Sequence, residues 1–334
     1  MGLPQKSVWR ALASRHEFWL LLILVLEWAC FNHVGPRFGT LENTYEILRH
    51  SAEIGLLALV MTPIILTGGI DLSVGSLLGL CAILFGKLWR DAHWPIELCA
   101  ASTLMIGAAA GALNAWLITS LRLPALIVTL GTFSLYRGLA EAITRGVDTF
   151  TGFPDGFLAL GQGQWLGIPR QAYAFVLVAA AIWILVHRTT FGRAWRAIGF
   201  SPESTRYAGI PVQRRVGEVY VLAGLVVGLA SIIYTARLGQ AKADAGTGYE
   251  LLAITAVVLG GTSIFGGVGS VHGTLLGVAA IAVLNNGLVH ARQPREVGGM
   301  LTGGLLILTL AVSVMPKMFA GKFRKFYSPA RKNE

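Results

Sequence analysis

The sequence predicts an all-α polytopic membrane protein with about ten transmembrane helices, two Gly-rich broken-helix regions and a short helix in a cytoplasmic loop. Three observations predict it. Of 334 residues, 54% are hydrophobic and only 13% charged, against about 25% charged in soluble domains, and the mean hydropathy is +0.63. Apolar runs recur at short intervals along the whole chain. Glycine clusters interrupt two of them, and one cluster carries a carboxylate. At about 20 residues per span the length holds roughly eight to eleven helices. That leaves no room for a soluble catalytic domain, so 1–334 reads as a single transmembrane domain.

The apolar segments lie at 17–34, 50–67, 73–89, 95–119, 124–143, 172–187, 215–235, 251–265, 271–290 and 297–316. Lys6, Arg10 and Arg15 precede the first, as in a signal peptide. No A-x-A cleavage site follows, and the 18–31 run is longer than a usual signal core, so it reads as an uncleaved first helix. Segments within 17–143 form a first helical group, 172–187 a sixth helix, 188–214 a cytoplasmic loop, 215–316 a second group and 317–334 a basic tail. The segments around 50–89 and 251–290 read as helix pairs joined by tight Gly-rich breaks.

Lys and Arg set the orientation. The tail holds Lys317, Lys322, Arg324, Lys325, Arg331 and Lys332, and the gap 188–215 holds Arg188, Arg193, Arg196, Arg206, Arg214 and Arg215 against Glu203. Six segments precede that gap and four follow it. Both counts are even, so the two basic regions and the basic N-terminus fall on one side, the cytoplasm. The net charge of +10 is thus explained without nucleic acid as a partner. The opposite side receives 35–49, 88–94, 144–171, 236–250 and 291–296, where Asp148, Asp155, Asp244 and Glu250 offset Arg145, Arg170, Arg237 and Lys242. The longest, 144–171, reads as a compact loop that covers a pore, meets a partner or simply connects. Cys30, Cys81 and Cys99 lack CxxC spacing and read as small buried hydrophobes, with no metal site.

A loose internal repeat runs through the chain. Leu56-Leu57-Ala58, Val74-Gly75-Ser76 and Leu77-Leu78-Gly79 are echoed by Leu251-Leu252-Ala253, Val268-Gly269-Ser270 and Leu275-Leu276-Gly277. Leu113-Asn114 before Arg122-Leu123-Pro124 is echoed by Leu284-Asn285 before Arg292-Gln293-Pro294. Matching interrupted segments in two halves point to a transport site, and chance in a Leu/Gly-rich background is the other reading.

In the first break Gly68, Gly69 and Gly75 let the backbone turn, while Ser73 and Ser76 can satisfy freed N–H groups. Asp71 either caps the following helix alone or caps it within a gate. The second break, Leu259 to Ser270, has five glycines and no charge. Close helix packing explains it, or Phe265 at its apex occludes a pore. Polar residues within apolar helices are Asn114, Thr129, Thr132, Tyr136, Arg137, Glu141, Glu218, Asn285 and Asn286. Thr129, Thr132 and Tyr136 share one helical face and either hydrogen-bond a polyhydroxylated solute or glue helices together. Arg137 and Glu141, at i and i+4, read as a pair that neutralises itself.

In the basic gap, Ser201 is an N-cap with Pro202 at N1 and Glu203 at N2, and Gly209 is a stop. The pattern encodes about two turns of helix over 201–208. Such a helix touches either anionic lipid or a protein partner, and the sharp start and stop favour the protein.

Three stretches together carry a resemblance: Gly68-Gly69-Ile70-Asp71-Leu72-Ser73-Val74-Gly75-Ser76, the 192–209 segment with Gly199 and Pro202, and Ala256-Val257-Val258-Leu259-Gly260-Gly261 with Gly266-Gly267-Val268-Gly269-Ser270. Over about 18–316 the chain resembles the permease subunits of bacterial ABC sugar importers, in the branch serving ribose, rhamnose and autoinducer-2. The second break departs from the pattern at Thr262-Ser263-Ile264-Phe265, so no substrate contact transfers there. The resemblance implies residence in the bacterial inner membrane and alternating access. Its implied partners are a second permease (homo- or heterodimer), two cytoplasmic ATPase subunits and a periplasmic solute-binding protein. It also makes the 201–208 helix the coupling helix, with Gly192, Arg193, Gly199, Ser201, Pro202, Glu203, Thr205, Arg206 and Gly209 as coupling residues. Gly68, Gly69, Asp71, Ser73, Asn114, Thr129, Thr132, Tyr136, Phe265 and Asn285 are the pathway or gate candidates. The chain has no G-x-x-x-x-G-K-[ST] phosphate loop, so ATP and Mg belong to the partner ATPase, and this chain binds no cofactor and does no covalent chemistry. An ion-coupled secondary transporter is the alternative. It would need no docking helix and more membrane acids than Asp71, Glu141 and Glu218. A membrane enzyme would need clustered catalytic groups, and the seven histidines are scattered.

Overall fold

The structure is a computed structural model that describes residues 16–35 and 37–326. The helices are α1 (His16–Val34), α2 (Leu41–Leu66), α3 (Val74–Arg90), α4 (Ile96–Thr119), α5 (Ala125–Thr144), α6 (Asp155–Gln162), α7 (Arg170–Arg188), α8 (Thr190–Phe200), α9 (Pro202–Tyr207), α10 (Val212–Leu238), α11 (Tyr249–Leu259), α12 (Val271–His290) and α13 (Arg295–Phe326). A two-strand hairpin, β1 (Gln164–Trp165) and β2 (Ile168–Pro169), follows α6. Lys6, Arg10, Arg15, Arg331 and Lys332 lie outside the described residues.

The all-α polytopic class holds, but the count of ten full spans does not follow. Among the described residues seven helices are long and apolar enough to cross a membrane: α1, α2, α4, α5, α7, α10 and α12. The breaks explain two of the three differences. Segment 73–89 becomes α3, of 17 residues. Segment 251–265 is helical only over the 11 residues of α11, because the chain turns at Gly260. Segment 297–316 falls in the 32-residue α13, within which Glu296–Ala311 is apolar among the described residues.

α2 forms the centre. Every residue from Leu56 to Leu66 is buried, and the helix packs against α7, α8, α10, α11 and α12. At its far end Asn43 and Asn286 exchange amide hydrogen bonds at 2.9 and 3.0 Å. Deeper in, Thr62 and Thr274 hydroxyls meet at 2.8 Å. A buried ion pair at 2.7 Å joins Glu53 to Arg237 of α10. α4 and α10 make the most intimate helix pair: Gly107 and Gly111 face Tyr220, Gly224 and Gly228, and a Cβ at any of the four glycines would strike the opposing backbone. Small residues permit this approach, which supplies van der Waals contact where lipid gives no hydrophobic drive.

Two segments are more structured than the sequence suggested. The 144–171 loop contains α6 and the hairpin, and it clamps the end of α3. Phe150 is buried and its backbone pairs with Ala241 at 2.9 and 3.1 Å, while Phe157 stacks on Phe85 at 4.9 Å. The gap 236–250 is more than a connection. Ala241 and Ala245 are buried, and the segment lies along α3, where Gly75 touches Gly246 and Gly79 touches Ala243 and Ala245. It is a third interruption. Cys81 and Cys99 are buried as expected, whereas Cys30 is exposed on α1.

Candidate functional site

The first break is built by the end of α2. Thr67, Gly68 and Gly69 N–H groups return to the Pro63, Ile64 and Ile65 carbonyls, and Gly68 has φ +82°, the left-handed geometry that a helix stop asks of glycine. The chain then runs extended to Asp71, whose Oδ1 accepts from Ser73 N at 2.8 Å and Ser73 Oγ at 2.6 Å. Ser73 Oγ accepts in turn from Asn114 Nδ2 at 3.0 Å. Thr129 Oγ1 donates to the Ile70 carbonyl at 3.2 Å. Four of the pathway candidates, Asp71, Ser73, Asn114 and Thr129, therefore converge on one unwound segment and hold it. Tyr220 is a fifth member that the sequence did not single out. Its hydroxyl sits beside Gly69, and neither it nor Asn114 Oδ1 has a hydrogen-bond partner among the described residues although both are buried.

Other candidates are placed elsewhere. Thr132 donates to its own helix at 3.2 Å and Tyr136 to the Ala110 carbonyl at 3.0 Å, so these hydroxyls serve helix contacts. Phe265 is 59% exposed at the tip of the second break. Asn285 lies apart, in a cavity of about 330 Å³ between α2 and α12 that His50 and Ser51 also line. Arg137 and Glu141 do not pair: Arg137 Nη1 instead donates to the Ala243 and Ala245 carbonyls, the latter at 3.1 Å. Glu218 is held by Arg214 at 3.1 Å and Arg215 at 3.0 Å.

Asp71→Asn keeps an acceptor for both Ser73 bonds, whereas Asp71→Leu leaves a buried N–H and hydroxyl unsatisfied, at about 1–3 kcal/mol each. Uptake is expected to survive the first change and fail with the second. Loss with both assigns the work to the charge instead.

The basic gap folds as two helices, not one. α8 was missed because its cationic residues hid an amphipathic pattern. Thr189 Oγ1 caps it, accepting from Phe191 N at 3.2 Å, and Gly192, Ala194, Trp195 and Ile198 are buried. α9 begins at the Ser201 cap, which accepts from Ser204 N at 3.2 Å, and ends before Gly209 at φ +79°. Arg193, Pro202, Glu203, Arg206 and Gly209 are exposed. Gly192 and Thr205 are buried and Gly199 is half-buried, so these three build the module from inside.

At the end of α8 the two breaks meet. Gly267 N donates to the Leu66 carbonyl at 2.9 Å. Gly199 lies against both, and a Cβ there would strike Leu66 O and Gly267 N. Gly266 is close to Gly68 and Gly199, and the Phe200 ring covers Gly267. Arg196 adds side-chain ties, donating to the Val186 carbonyl at 2.9 Å and facing His187 Nδ1 at 3.3 Å, while His187 Nε2 lies 3.2 Å from Val271 N at the start of α12. α1 supports the same break through His16 to the Leu259 carbonyl at 2.7 Å. α8, the first break and the second break thus share one backbone junction.

Paired broken helices in a helical membrane protein, with a surface module seated on both breaks, are the architecture of a transport subunit. The branched-chain amino acid transport system / permease component family matches residues 43–310, and the chain belongs to it. It is 36% identical over 299 residues to the autoinducer 2 import system permease protein LsrD of Escherichia coli, and equally to that of Shigella flexneri, covering 88% of this chain and 90% of theirs. No solved structure matches. The chain is the permease subunit of an ATP-binding cassette importer and is itself non-catalytic, with ATP hydrolysis on a separate subunit. The ion-coupled alternative has no support in these comparisons.

Proposed function

We propose that this permease imports autoinducer-2 or a closely related sugar-like solute of the ribose or rhamnose type across the bacterial inner membrane by alternating access, with both termini cytoplasmic. The relatives' own substrate supports the solute class, and the sparse membrane charge suits a neutral one. Two cytoplasmic ATPase subunits carrying ATP and Mg drive the cycle, and a periplasmic binding protein delivers the solute. A second permease completes the assembly. Gly131 and Gly138 of α5, with Gly299 and Gly303 of α13, have no neighbouring atoms within 4 Å of a would-be Cβ, which suits close helix pairing.

The observation that carries this reading is the junction of Gly199 with Leu66 and Gly267. The exposed face of α8 and α9, with Arg193, Pro202, Glu203, Arg206 and Gly209, docks on the ATPase. Its movement passes straight into both breaks, without an intervening side-chain relay. The first break, with Asp71, Ser73, Asn114 and Thr129, then opens or closes the path. Glu203→Arg and Gly209→Trp are expected to abolish uptake and ATPase co-purification while leaving membrane insertion intact. Normal uptake and normal co-purification in both variants would remove the docking assignment.

A further inference from the structure

We propose that the β1–β2 hairpin at the head of α7 is a membrane anchor, a two-stranded wedge whose apolar tip sits among phospholipid headgroups. The anchor is independent of the solute that the permease carries.

α7 fixes the level of the hairpin. Its 19 residues run from Arg170 to Arg188. That is about 28 Å of helix, close to the roughly 30 Å of a bilayer's hydrocarbon core. A cation at each end marks the two boundaries. α8 follows the Arg188 end, so the hairpin lies at the opposite boundary. Tyr173, Leu177, Ala180 and Ile184 follow one another in steps of three and four along one face of α7. Leu177, Ala180 and Ile184 are exposed, so this face turns to lipid. Tyr173, at its top, holds the hairpin. Its hydroxyl donates to the Trp165 carbonyl at 2.9 Å, and the two rings pack 5.2 Å apart. The hairpin therefore stands over the lipid-facing side of the helix.

The residues of the hairpin suit that level. Trp165, Leu166 and Ile168 are all exposed, Leu166 at 81%. Leu166 and Gly167 form a two-residue turn with φ +50° and +77°, the left-handed geometry for which Asn-Gly or Gly-Gly is the usual choice. A leucine there is unfavourable for the backbone, and in water its side chain would be unfavourably exposed as well. Entry of that side chain into lipid offsets both. Between the hairpin and the helix lies an open cleft of about 350 Å³ lined by Trp165, Arg170 and Tyr173. A phospholipid fits this chemistry: its phosphate pairs with the guanidinium, and the two amphipathic rings lie at the glycerol level. Residues 164–169 carry no charge, so the tip offers a protein partner no charge complementarity.

The test places a cysteine at Leu166 in a Cys30→Ser background, labels it with the environment-sensitive dye NBD and reconstitutes the permease in phosphatidylethanolamine–phosphatidylglycerol nanodiscs. Ile168→Cys is the second probe, should the turn reject the dye at 166. Both probes are expected to be quenched by lipids carrying a nitroxide near the headgroup, and to lose most of the quenching by aqueous iodide that the free dye shows. Leu166→Asn removes the apolar tip while suiting the turn better. Added to the Ile168 probe, it should restore iodide access without lowering Tm. Full iodide access at both probes with no nitroxide quenching overturns the anchor. So does protection that arises only when the solute-binding protein is added, which would assign the hairpin to protein docking.

Discussion

Gly199→Ala is expected to abolish solute uptake by a permease that still inserts, still binds its ATPase and still supports ATP hydrolysis. The added methyl would strike the Leu66 carbonyl and Gly267 N. Both obstacles are backbone, so no side chain can rotate out of the way. Relief requires the end of α8 to lift from the breaks, at the expense of the 2.9 Å bond between them. Overpacking of this kind costs typically about 1–3 kcal/mol, enough to separate the module from the breaks for most of the cycle. The docking face of α9 is untouched, so hydrolysis continues without transport. Gly217→Ala on α10 is the control, because a Cβ at Gly217 meets only ordinary van der Waals neighbours at 3.7 and 3.9 Å. Parallel assays of uptake and ATPase activity in proteoliposomes check the outcome. Wild-type uptake by Gly199→Ala would mean that the junction is not on the route.

The second large effect is on stability. Arg237→Leu leaves Glu53, 0% exposed, as a buried carboxylate whose guanidinium at 2.7 Å has gone. Removing one partner of a buried ion pair costs about 3–5 kcal/mol, expected as a fall in Tm on the order of 10 °C in detergent-solubilised protein. Arg237→Leu with Glu53→Gln removes both charges and should recover a large part of the loss. If the double variant is no better than the single one, the charge pair is not the source of the stability.

The class of fold was legible because hydropathy and glycine punctuation are local signals. Both breaks, the Ser201–Pro202 start of α9 and its stop at Gly209 came directly from residue chemistry. The residues missed share a different cause. Glu53 and Arg237 pair across 184 positions, and no local pattern announces such a partner. Glu53 also lies near the edge of its apolar run, where an acid resembles a helix end. The inward course of 239–248 was hidden because small residues look like a loop. The run Ala241, Ala243, Ala245, Gly246 and Gly248 was the available signal, since a lipid- or water-exposed connection has no need of so many side chains small enough to lie on a glycine face. Arg137 was read against Glu141 because i,i+4 pairing is the nearest option on a helix, whereas its hydrogen bonds go to backbone carbonyls from 106 and 108 positions away. The gap after α7 was read as one helix because its cations masked α8, whose buried face becomes evident only once Trp195 and Ile198 have something to pack on.

We propose that α8, α9 and the two breaks move as one body when the ATPase closes. Tyr207, 85% exposed on α9, and Val268, 52% exposed at the second break, are suitable for spin labels after Cys30 is replaced by serine. Leu130, exposed on α5, supplies a reference outside the body. Double electron–electron resonance on the assembled transporter, with and without ATP, measures the two distances. If they move as one body, the 207–268 distance is unchanged by ATP while the 268–130 distance shifts. A change in 207–268 with 268–130 constant would contradict it.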